Sequence, residues 1–124
     1  GIFLNLNEII KRFSIIADLS WDEASPWTSV CEDACLEIRS NLRDDVKEEG
    51  NERRLNAAAA ALAFYRYVLY RCSGGGMESF TAGEIRIKTD AKTHAKIAYN
   101  VWLDAKRSIS DLLKDTEFMF ERIM

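Results

Sequence analysis

A chain of 124 residues has the length of one compact domain with a single modest core. Its 17 basic and 20 acidic residues argue against the strongly basic face of a general nucleic-acid binder. Cys31, Cys35 and Cys72, odd in number and set in helical patterns, exclude the disulfide framework of a small secreted scaffold. The charge is uneven: residues 1–50 carry 5 basic and 11 acidic side chains, and residues 51–124 carry 12 and 9. Such an asymmetry suits head-to-tail association of identical subunits. Gly1 to Asn7 lacks the order of a secretory leader, a basic start, a long apolar run and a small-residue cleavage site. A reducing, intracellular setting is therefore expected.

In chain order, Asn5 or Asn7 is placed to cap a first helix reaching about Ala17, with Leu6, Ile9, Ile10, Phe13, Ile16 and Ala17 at helical spacing. Ser20 and Glu23 have the spacing of a capping box. Ser25-Pro26 interrupts soon after, and Pro suits a first helical turn, so the second helix is predicted to start at Pro26. Its stripe is Trp27, Val30, Cys31, Ala34, Cys35, Ile38, Leu42 and Val46. Residues 44–52 form a charged turn around Gly50-Asn51. Leu55 to Tyr70 is apolar on nearly every side and reads as a central helix that other elements must wrap. Asn56, Arg66 and Arg71 leave no run of about 20 apolar residues for a membrane span. Beyond Ser73, the run Gly74-Gly75-Gly76 and the alternation around Ile85 and Ile87 predict an extended loop or short β-hairpin over residues 74–88. Thr89 or Asp90 then caps a last helix with the stripe Ala91, Ala95, Ala98, Trp102, Ala105, Ile109, Leu112 and Leu113. Its small first half is expected against the alanine run Ala57 to Ala61. The tail from Thr116 to Met124 is apolar enough to dock on the core or on a partner. The expected fold is one all-α domain spanning 1–124, about four helices around a central apolar one.

Few residues point to chemistry. Cys31, Cys35, Cys72 and His94 form a conceivable zinc set, but the first two occupy core-stripe positions, where free cysteine behaves as a small hydrophobe. Nothing sets His94 beside a thiol as a nucleophile pair requires. The triple glycine lacks the Lys-Ser or Lys-Thr of a phosphate-binding loop. Asp44, Asp45, Glu48 and Glu49 lack the ligand order of a calcium loop and read as a solvated helix end. Lys88, Lys92 and Lys96 recur every four residues, with Arg86 just before. Cations at a helix start oppose its dipole, so contact with phosphate or an acidic partner is one reading of that stripe and an ordinary solvated face is the other. No catalytic residue, metal, cofactor or small-molecule substrate is expected.

The run RLNAAAAALAFYRYVLY, a GGG link, the segment SFTAGEIRI and a closing helix together resemble the small head-completion or head-tail connector proteins of tailed phages and prophages. The matching residues are Ala61, Ala63, Tyr65 and Tyr67 on the helix and Phe80, Ala82, Gly83, Glu84, Ile85 and Ile87 after it. The likeness runs over about residues 25–113. It implies a structural subunit in an oligomeric ring beneath a portal, found in the virion or, during assembly, in the host cytoplasm. DNA would pass through the lumen without specific binding, and the partners would be further copies and the portal or a neighbouring connector protein. On that reading Phe80, Ile85 and Ile87 anchor the 74–88 loop on a neighbour. Arg86, Lys88, Lys92 and Lys96 pair with Asp44, Asp45, Glu48 and Glu49 of the next subunit. The alternative is a small helical packaging or regulatory protein that binds duplex through the same basic stripe.

Overall fold

The computed structural model of the chain describes residues 5–73 and 91–114, the side chains of Ser73, Ala91 and Lys92 excepted. The expected loop or hairpin over 74–88, the Thr89 or Asp90 cap and the docking tail from Thr116 lie outside the described residues. Those described are all-α: α1 Leu6–Ala17, the single turn α2 Trp21–Ala24, α3 Thr28–Ser40, α4 Glu52–Ser73 and α5 Ala91–Ser108. Short 3-10 turns at Ser25–Trp27 and Ser110–Leu112 follow α2 and α5. Among the described residues no helix is long and apolar enough to cross a membrane.

Local chemistry sets the ends of these helices. The Asn5 side chain accepts from Glu8 N–H at 3.2 Å and starts α1, satisfying one of the donors that a helix start leaves unpaired. Asn56, buried within the apolar α4, accepts the Asn5 N–H at 3.1 Å. Its polarity thus fastens α1 to α4. Asp18 closes α1 in the left-handed region, with Leu19 N–H reaching Ser14 O at 2.9 Å, a Schellman closure in a residue type that tolerates this conformation. The Ser20 and Glu23 box is present, but it heads only α2. Pro26 falls in the 3-10 turn that follows, so α3 starts at Thr28 rather than at Pro26. At its other end α3 stops at Ser40, earlier than its apolar stripe suggests. Leu42 leaves the helix to pair with Leu113 in an isolated bridge, with Arg43 N to Leu112 O and Lys114 N to Asn41 O both 2.9 Å. Gly50, with φ +90°, turns the chain into α4.

The helices alternate in direction. Asn5 lies at Asn56 and Phe13 at Tyr67, so α1 runs parallel to α4. Arg54 lies at Ser108 and Tyr65 at Tyr99, so α5 runs antiparallel to it. Trp27 meets Tyr67 edge-on and lies tilted to Tyr70, while Leu42 meets Leu113 at the opposite end, so α3 is antiparallel as well. The central helix packs against all three. Which face meets which neighbour follows from spacing. Asn56 and Tyr67 face α1, whereas Arg54 and Tyr65 face α5, and an offset of two residues is about 200° around a helix. So α1 and α5 lie on opposite sides of α4, and α3 fills the side that Trp27, Arg66 and Tyr70 share.

Ala58 to Ala61 and Ala63 are buried, as are Leu55 and Leu62. Small side chains along α4 bring its neighbours close, and Ile9, Phe13, Ile38, Trp102 and Ile109, all fully buried, fill the remaining space. Each such large side chain contributes about 1.5–3 kcal/mol by leaving water. The antiparallel register sets Trp102 and Ala105 beside the alanine run, not the small first half of α5 as the sequence suggests. Alanines leave room there for an indole.

Candidate functional site

The expected site residues that the structure describes divide between the two ends of the bundle. At one end the chain passes from α3 to α4 through the acidic turn, and α5 finishes beside it. Here Glu48 is half-buried and takes two bonds from Arg39, at 2.8 and 3.2 Å. That bond is the main reason the Arg39 guanidinium is held charged above its ordinary range. Asp45 meets Arg43 at 3.2 Å, with both side chains well exposed, while Asp44 and Glu49 face solvent. Arg54 closes this end by donating to Ser108 O at 2.5 Å and to Asp111 at 2.7 Å. Its hydrogen bond holds the Asp111 carboxyl below the usual carboxylate range.

At the other end α1 and α4 finish and α5 begins. Lys96 is exposed there, on the same face as Thr93 and Asn100. Lys92 lies in the first turn of α5, its side chain outside the described residues, as are Phe80, Ile85, Arg86, Ile87 and Lys88 altogether. Lys92 and Lys96 on α5 and the acidic turn therefore sit toward opposite ends of the same subunit. The 18 residues of α5 span about 27 Å at the helical rise, so Lys92 and Lys96 do not meet the acidic turn within one chain.

Cys31 and Cys35 share the inner face of α3, and Cys72 lies near the end of α4. Burial pushes the Cys31 thiol up to about 12. It raises Cys35 too, with Arg39 acting in the opposite direction, and Cys72 through burial alone. Thiols held neutral are poor nucleophiles and poor metal ligands. Among the described residues no three His, Cys, Asp or Glu side chains gather around a common point as a metal ion requires. A cleft of about 320 Å³ opens between Leu19, Glu23, Pro26, Trp27, Tyr67 and Arg71. The Trp27 ring meets Tyr67 edge-on at 4.6 Å, and the Arg71 guanidinium lies 5.9 Å from the Tyr67 centroid. Glu23 is turned back onto Ser20 N at 2.8 Å.

Sequence reasoning missed a set of surface residues. Ile15, Ile16, Trp21, Leu36, Tyr70 and Ile97 are large, apolar and exposed, and all but Leu36, on α3, lie toward the end where α5 begins. Two of them carried a signal. Ile15 falls off the Ile9, Phe13, Ile16 stripe, and Ile97 falls off the Ala91, Ala95, Ala98 stripe, so each points away from its own core. What the arrangement offers is contact: apolar side chains edged by charge, on a scaffold that fixes their spacing. Comparison with protein-family models, with curated proteins and with solved structures finds no match to this chain.

Proposed function

We propose that this chain is a structural assembly subunit of the head-tail connector kind, which builds an oligomeric ring beneath a phage or prophage portal and resides in the virion. The observation that carries the reading is the antiparallel pairing of α4 with α5. It brings Ser73 and Ala91 to one end of the bundle, so the segment bearing Phe80, Ala82, Gly83 and Ile85 is tethered there at both ends. The resemblance implies that this segment contacts a neighbouring subunit or the portal. The buried Tyr65 and Tyr67 of the helical part of the resemblance support the same reading, since they lie on opposite wrapped sides of α4. Further copies of the chain and the portal are the partners. DNA passes through without being gripped, in keeping with a net charge of -3. Negative-stain electron microscopy of the concentrated protein tests this directly. Closed rings with a central channel are expected. Single particles at every concentration, together with duplex binding that falls steeply with salt, would replace this reading with that of a nucleic-acid-binding protein.

A further inference from the structure

The assembly reading leaves open which faces of the subunit meet. Rotation about a ring axis leaves height along that axis unchanged, so bundles standing upright in a ring can join only patches at the same level. The acidic turn and Lys96 lie toward opposite ends of the bundle. Upright neighbours cannot bring them together.

Another acidic surface lies at the level of Lys96. From Phe13 to Trp27 the chain carries Asp18, Asp22 and Glu23 and no Lys or Arg, and Arg12, one turn before Ile15 and Ile16, is paired with Glu8 at 2.9 Å. Asp18 and Asp22 are exposed beside Ile15 and Trp21, which are 71% and 57% exposed. On α5, from Ala91 to Leu103, the sequence has Lys92, Lys96 and His94 and no acid. Lys96 stands next to Ile97, itself 52% exposed. These two patches share a level: Phe13 meets Tyr67, Trp27 meets Tyr67 and Tyr70, and Tyr99 meets Tyr65. They also face opposite ways, because α1 and α5 occupy opposite sides of α4.

From this we infer that a second copy of the chain docks flank to flank: the α1–α2 edge of one subunit, Ile15 and Trp21 rimmed by Asp18 and Asp22, seats against Ile97 and Lys96 on α5 of the next. The inference rests on the assembly reading. Two different patches on opposite sides of one subunit make a heterologous contact, the kind that propagates and closes into a ring when the rotation permits. An apolar centre with complementary charge at its rim gives both adhesion and register. At the acidic turn Glu48 is already held by Arg39 within the subunit.

The test is a charge swap followed by sedimentation velocity. Lys96→Glu and Asp22→Lys should each weaken self-association roughly tenfold or more, because like charges then face each other, and the double variant should recover most of the loss. All three should keep the wild-type helical circular dichroism, since both positions are exposed. In a Cys72→Ser background, Ile15→Cys and Ile97→Cys chains should cross-link on oxidation when mixed and not when kept separate. A wild type that is monomeric at every concentration overturns the assembly reading and this interface with it. A wild type that assembles while the single reversals leave its association unchanged, or while only like pairs cross-link, overturns this interface alone.

Discussion

The two ends of the bundle are held by different forces. Where α5 finishes, polar groups do the holding: the Leu42 and Leu113 bridge, the Arg54 contacts to Ser108 and Asp111, and the Arg39 bonds to Glu48. Three chain segments converge there, and their backbone groups must find partners. Where α5 begins, aromatic rings do it: Phe13 and Trp27 edge-on to Tyr67, with Tyr65 beside Tyr99. Aromatic side chains bring more apolar area than one small core absorbs, and Ile15, Trp21, Tyr70 and Ile97 are left at the surface. Among the described residues the polar end is held by contacts within the subunit. The aromatic end has apolar area to spare for a neighbour.

The sharpest way to break this comparison is Phe13→Ala, which removes a fully buried ring from the aromatic end and should cost about 3–5 kcal/mol in urea unfolding. At the polar end, Gly50→Ala meets no neighbouring atom but forces a side chain onto φ +90°, for about 1–2 kcal/mol. Glu48→Gln weakens the hold on Arg39 and should cost on the order of 1 kcal/mol. A smaller effect comes from pH. The buried Cys31 thiol ionises near 12, against 9.0 when unfolded, so the folded chain holds the extra proton between those values and stability falls as pH rises through them. A Cys31→Val chain should show a flatter decline above pH 9 in the same unfolding assay. Asp111 acts with the opposite sign: its carboxyl is held below the ordinary 3.8 by Arg54, so its contribution is present above that value and lost as pH falls below it. Least of all for stability, Ile15→Ser should change unfolding by about 0.5 kcal/mol or less, while self-association drops.

Much of this fold was legible in the sequence, because periodicity and caps report on local structure. The Asn5 cap, the wrapped α4, the stripe from Val30 to Ile38 and the turn at Gly50 all stand where the residues place them. Boundaries set by tertiary pairing were not legible. Leu42 continues a helical stripe but is drawn out of the helix by Leu113, 71 positions later, and Pro26 is taken into a 3-10 turn between α2 and α3. The level and side of each surface patch depend on how three helices register against α4. No single helix encodes that, so the opposite placement of the acidic turn and Lys96 emerges only from the assembled bundle. Ile15 and Ile97 were visible as off-stripe residues, but their common level was not.

Light scattering from the purified chain, across a concentration series at low and high salt, tests the claim of self-assembly most directly. The account predicts a mass above that of one 14.2 kDa chain, rising with concentration and falling as salt screens the charged rim. A mass of one chain under every condition would contradict it.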